Sequence, residues 1–313
     1  GLLRLLGILP KEGEPTWAAG LGKTEMKGTF SVKPEQGAPL MAVDLAGTTG
    51  ALTVSATGTL TGDDIKGSAE IKATDGGALA QLAGLDPVSN DAAPGRATVT
   101  VSGSPAKGFL ADLQVQAFGA TLGYNGLVGP GVALDGKANL RATNPLPLLT
   151  ALGLPSSVMP AGVLVLDGTL AKPLDEPLKA AFAGRLGQTD IGFDGTLDDT
   201  GKIAANVLAG SLFARDILAA ALMEWNGQQP SPETPFAAGL PFGLTGEVWI
   251  TPKELKVSDI YSAKNVQAAI SATEGELRVA IFGKDDEGRD ALIEIASKPD
   301  GEAGRRVIDG KIV

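Results

Sequence analysis

The sequence predicts a mainly β, repetitive protein with short interspersed helices, and three observations carry that prediction. Apolar residues recur at every second position over short runs. Gly, Asp, Asn and Pro close those runs about every ten residues. One stretch of the pattern, Gly67–Asp75, returns 69 residues later as Gly136–Asn144. Alternation with period two marks a strand with one buried face, because successive side chains point to opposite sides of a pleated sheet.

Taken in order, Ala97, Val99 and Val101 alternate with threonines and stop at Gly103 and Pro105. Leu113, Val115 and Ala117 alternate with glutamines, and Ile203, Ala205 and Val207 form a similar face. Val266, Ala268 and Ile270, then Leu277, Val279 and Ile281, continue the pattern, and Ile293 and Ile295 flank Glu294. Such runs, joined by tight turns, read as an antiparallel meander. Hairpin tips are expected at Gly62-Asp63-Asp64, Asp198-Asp199-Thr200-Gly201, Glu274-Gly275 and Asp285-Asp286-Glu287-Gly288.

Three segments break the rhythm with helical composition: 76–85, 146–154 and 212–225. In the third, Phe213, Ile217, Ala220 and Ala221 share one helical face, as expected for a helix laid on a sheet. Asp75 and Asn144 stand where N-caps would for the first two. The register of the repeat continues through Leu79 with Leu148 and Leu85 with Leu154, and a more diverged copy begins near Gly201, 65 residues past Gly136. The unit is therefore several strands, a short helix and a connector, stacked so that each unit buries its neighbour's apolar face. Residues 1–226 read as the repetitive region, 227–241 as a Pro-rich linker, and 242–313 as a strand-rich C-terminal section.

Composition narrows the chemistry. The chain holds no Cys and no His, which removes disulfides, thiolate nucleophiles, Cys/His metal sites and histidine triads. A net charge of −10 argues against nucleic acid as ligand. Ile217–Met223 is far shorter than the ~18 apolar residues a membrane-spanning helix needs, and Gly1–Leu9 is broken by Arg4 and stopped by Pro10. With Gly rather than Met at its start, the chain is expected to be a fragment or a processed product.

Short motifs give little. Gly20-Leu-Gly-Lys-Thr24 resembles the end of a P-loop, but the run Thr29–Val32 that follows is strand-like and offers no helix N-terminus for phosphate. Asp199-Thr200-Gly201 matches an aspartic-protease triplet, yet it sits in a polar hairpin tip without a second copy. The acidic pairs at Asp63/Asp64 and Asp285/Asp286/Glu287 fall in turns; glycosidase chemistry there is disfavoured, and calcium binding stays open. No catalytic, cofactor or metal site is expected.

The apolar faces have two readings. They can fill a closed sandwich core, or they can line an open curved sheet that accepts a ligand. On the second reading the lining residues are Val99, Val101, Leu113, Val115, Ile203, Val207, Val266, Ile270, Leu277, Val279, Ile281, Ile293 and Ile295.

Two stretches resemble the bacterial AsmA family. One is 184–197 with the following Gly201-Lys-Ile-Ala-Ala-Asn206 and the Leu212 helix. The other is Pro241–Ile250 followed by Asp259–Leu277. The resemblance implies a long U-shaped β-groove related to bridge-like lipid-transfer proteins, in which this chain's ligand is a phospholipid or another acyl-chain lipid. It further implies a periplasmic protein, anchored in the inner membrane by an N-terminal helix absent from this chain, with a part in outer-membrane biogenesis. A structural or adhesive β-repeat without lipid is the competing expectation, and a polysaccharide-acting enzyme a more distant one. A β-solenoid would repeat every ~20–30 residues, far below the spacing seen here.

Overall fold

The computed structural model describes residues 24–34, 39–82, 93–130, 134–152, 162–222, 237, 240, 243–256, 262–273, 275–284, 290–300 and 306–312. They form strands β1 (Thr24–Lys33), β2 (Leu40–Thr49), β3 (Leu52–Thr61) and β4 (Asp64–Ala73), then helix α1 (Gly76–Leu82). The next unit is β5 (Gly95–Ser104), β6 (Gly108–Ala117), β7 (Ala120–Val128) and β8 (Leu134–Ala142), then α2 (Leu146–Ala151). A third is β9 (Leu164–Lys172), β10 (Leu178–Leu186), β11 (Thr189–Leu197) and β12 (Lys202–Phe213), then α3 (Ala214–Leu222). The chain continues as β13 (Thr245–Lys256), β14 (Ser262–Ala263), β15 (Gln267–Thr273), β16 (Glu276–Lys284), β17 (Asp290–Pro299) and β18 (Arg306–Ile312).

All eighteen strands belong to one long, curved, open sheet. From β1 to β12 each strand pairs antiparallel with the next. The expected antiparallel meander is broken once among the described residues: β13 lies parallel to β12. A parallel neighbour requires the chain to return along the sheet before β13, and α3 lies within that connection. The expected seam at 227–241 lies mostly outside the described residues; β12 before it and β13 after it are paired in the same sheet. Antiparallel pairing resumes from β13 through β15, β16 and β17 to β18.

Local chemistry explains the turns and helix starts. Gly62 turns the β3–β4 hairpin with φ +60°. At the tip 198–201, Asp198 Oδ1 accepts from the Thr200 and Lys202 N–H groups, both at 2.9 Å, and Gly201 takes φ +84°. The turn at Asp285–Gly288 and residue Glu274 lie outside the described residues, whereas Gly275 has the expected positive φ, +80°. Asp75 caps α1, accepting from the Ala78 N–H at 2.8 Å. For α2 the cap position is Pro145, and Asn144, one residue earlier, accepts from the Leu146 N–H at 3.1 Å. Helix α1 ends at Leu82 and α2 at Ala151, with Leu152 as its C-cap; 83–85, 153–154 and 223–225 of the expected helices fall outside the described residues. The third helix starts later than expected, at Ala214, because Leu212 and Phe213 still pair with Leu255 and Lys256 as the end of β12.

Candidate functional site

The registers show that the alternation is one property of the whole sheet. Beginning at Phe30 of β1, successive partners on one face are Val43, Gly58, Gly67, Val101, Ala111, Gly126 and Gly136. The same lane continues through Leu170, Ala180, Gly195, Ala205, Val248, Ile270, Val279 and Ile295 to Gly310 of β18. No charged residue interrupts it. Gly67 and Gly136, paired by the sequence repeat, stand on this same lane, and Ala205 takes the equivalent place in the third unit.

A neighbouring lane carries Leu45, Ala56, Ala69, Val99, Leu113, Tyr124 and Ala138, and further along Val207, Ile250, Ala268, Ile281 and Ile293. Val115 lies one lane towards the helices, beside Ala97. Ile203 and Leu277 lie one lane towards the opposite end, through Gly246 and Ala272. Val266, just ahead of β15, packs in the same cluster as Ala268 and Ile270. Every residue proposed as lining therefore shares a single face.

The other face carries most of the polar and charged side chains, although Leu110, Leu127 and Leu208 also stand exposed on it. Thr53, Ser55, Thr57, Thr59 and Thr61 of β3 point away from the apolar lanes and are exposed. Hydrogen bonds cross between strands there: Thr57 with Ser68 at 3.0 Å, Asn125 to Asp112 at 3.0 Å, and Asn206 to Asp194 at 3.0 Å. Ion pairs occupy it too. Asp190 receives Lys253 and Arg185, and the hydrogen bond from Lys253, then that from Arg185, holds its carboxyl below the usual range. The β-branched Thr residues suit a pleated strand and keep this side wet.

Cover on the apolar face is uneven. At one end of the strands, Leu79 of α1 packs on Leu52 and Ala73, and Leu148 of α2 lies against Ala120, Ala142 and Leu164. Over β13–β17 the face is roofed: Ala214, Ile217 and Leu222 of α3, with Ala237, enclose Leu255, Val266, Ala268, Ile270, Leu277, Val279 and Ile281. Here the expected lining residues Val266, Ile270, Leu277, Val279 and Ile281 are core, covered by the chain itself. Val115 is half-buried against the Leu52, Ala73 and Leu79 cluster under α1. Val99, Val101, Leu113, Ile203 and Val207 are half-buried with no such cluster over them among the described residues, and Ile293 and Ile295 sit half-buried at the margin of the roofed section.

At the β1 end the face is most open. Phe30 is 67% exposed, with Val32, Val43 and Leu45 also exposed. An open cleft of about 240 Å³ lies there, lined by Phe30, Met41, Ala42, Val43, Gly58, Thr59, Leu60 and Ile65. Much of this face between β3 and β12 is floored by glycine and alanine. A Cβ on Gly126 would stand 2.4 Å from the Cα of Gly136, and one on Gly168 would stand 2.0 Å from the Ala181 carbonyl oxygen. Glycine at such sites lets the sheet bend tightly.

The face also contains a feature that alternation did not reveal. Lys172 points to the apolar side opposite Leu134 and is buried. Its ammonium is neutralised at the rim, donating to the Glu176 carbonyl at 2.6 Å and pairing with Asp199 at 2.9 Å. The Asp199-Thr200-Gly201 triplet is thus a hairpin tip that closes an ion pair. Gly20–Lys23 lies outside the described residues; Thr24 opens a strand rather than a helix. Among the described residues no group of three acidic side chains is gathered for a metal. No helix among them is long and apolar enough to cross a membrane.

Compared with known proteins, the chain matches no family model, no curated protein and no solved structure.

Proposed function

We propose that this protein binds acyl-chain lipids, phospholipids foremost, along the uncovered part of its apolar face, and that it does so without catalysis. The observation that carries the reading is the lane from Phe30 to Ala205. It crosses twelve strands without a charge, is built largely of Gly and Ala, and among the described residues has no roof like that over β13–β17. Eleven strand spacings of ~4.8 Å give it a length of about 50 Å.

The physics suits a carrier or conduit. Water exacts about 0.8 kcal/mol for each exposed methylene, and an apolar trough removes most of that penalty at every point along its length. Specific contacts are unnecessary, and an acyl chain can slide because no position holds it much more tightly than the next. On this reading the protein is an AsmA-like component of a Gram-negative envelope. It faces the periplasm, is anchored at the inner membrane in its full-length form, and contributes to outer-membrane biogenesis.

The test is native mass spectrometry of the protein purified without harsh detergent, with extraction of whatever travels with it. Copurifying phospholipid is expected, released by organic solvent and restored on incubation with vesicles. A protein that carries no lipid and takes none from vesicles would leave the structural β-repeat reading in place.

A further inference from the structure

The apolar lane has two valines in equivalent settings with opposite fates. Val43, near the β1 edge, is 39% exposed, and Val279, on the same lane, is 1% exposed. The difference is α3. Its Ile217 and Leu222 lie on the face formed by Ile270, Leu277, Val279 and Ile281. The chain itself thereby indicates what this face accepts: branched aliphatic groups, laid flat, with no polar partner required.

We propose that α3 is a stopper, dividing the face into a cargo-accepting stretch, β1–β12, and a self-occupied stretch, β13–β17. The inference rests on the lipid reading above and adds direction to it. Acyl chains load from the cleft beside Phe30 and Val43, where the face is most exposed, and run over the small residues Gly58, Gly67, Gly126 and Gly136. They halt where Ile217 already fills the lane. The crossover that makes β13 parallel to β12 is what brings α3 over the sheet, so the parallel joint and the stop are one structural event.

The test uses the unaltered chain with a phosphatidylethanolamine bearing a diazirine in its acyl chain. After illumination and digestion, the modified peptides are mapped. Adducts are expected on peptides from β2 to β11 and only background on β15–β17. In Ile217→Asp, which withdraws the stopper, adducts on β15–β17 should rise several-fold while those on β2–β11 persist. Should that variant unfold its section, seen as lost hydrogen-exchange protection in β15–β17, the milder Ile217→Ala replaces it. Adducts on β15–β17 of the unaltered chain, equal to those on β2–β11, would overturn the stopper alone, as would a folded variant that gains none. Adducts nowhere on the chain would overturn the lipid reading and the stopper with it.

Discussion

Gly126 and Gly136 face each other across β7 and β8 so closely that a Cβ on the first would stand 2.4 Å from the Cα of the second. The close approach separates glycines whose place a side chain would contest from glycines that merely sit in the sheet. Gly58, on the same lane, is of the second kind: its nearest would-be neighbour is the Lys66 carbonyl oxygen at 3.4 Å.

Gly126→Ala should therefore destabilise the protein by about 1–3 kcal/mol, the range for forced overpacking. Gly58→Ala should fall between neutral and a gain of about 0.5–1 kcal/mol, because it removes backbone freedom from the unfolded chain. Urea denaturation of the two variants against the parent measures both. Equal effects would mean that the close approach at Gly126 is not a constraint.

The roofed section should behave as a true core. Leu277 is fully buried beneath α3, so Leu277→Ala should lose about 2–5 kcal/mol. Val43→Ala, at the open cleft, should change stability by about 0.5 kcal/mol or less. Thermal or chemical unfolding of the pair reads out the contrast. Similar losses at both positions would contradict a division of the face into covered and uncovered parts.

Acid should loosen the hairpin at 198–201. The Thr200 hydroxyl, then the Lys202 N–H, donates to Asp198 and holds its carboxyl below the usual aspartate value of 3.8. A carboxyl lowered on folding stabilises the fold above its unfolded pKa, and that contribution disappears as pH falls through the folded value. Asp198→Ala should thus lower the unfolding free energy at neutral pH by about 0.5–1.5 kcal/mol from the lost hydrogen bonds. The difference from the parent should shrink below pH ~4 as the parent's carboxylate protonates. Melting curves over pH 2–7 would show it; a gap that widens in acid would reverse the assigned sign.

Much of this architecture is legible in the chain, for a simple reason. Alternation at Val99/Val101 and at Leu113/Val115 fixes which side of each strand is greasy, and antiparallel pairing then carries that side across neighbours without a slip. The repeat from Gly67 to Gly136 places two helices of the same kind at the same end of the sheet. What periodicity does not encode is cover. Val101 and Val279 look alike in sequence, and only the path of α3 decides that one is half-exposed and the other core. The parallel pairing of β13 was illegible for the same reason, being set by where a crossover returns. Lys172 was hidden because a lysine on an apolar face needs partners from elsewhere, here Glu176 and Asp199. The β6–β7 turn carries no sequence signal of the usual kind either: Phe118 and Gly119 both take positive φ, 53° and 68°, without the Asn or Asp that usually advertises such a turn.

On the proposed function, one side of the sheet between β1 and β12 holds lipid and the other does not. Neighbouring residues provide the control, since Leu113 lies on the apolar lane and Asp112 on the polar face. A photoreactive benzophenone residue introduced at Leu113, and in a second protein at Asp112, is illuminated in the presence of phospholipid vesicles, and covalent adducts are weighed by mass spectrometry. Phospholipid adducts at 113 with background at 112 are predicted; equal labelling at both, or none at 113 in a folded protein, would contradict the account.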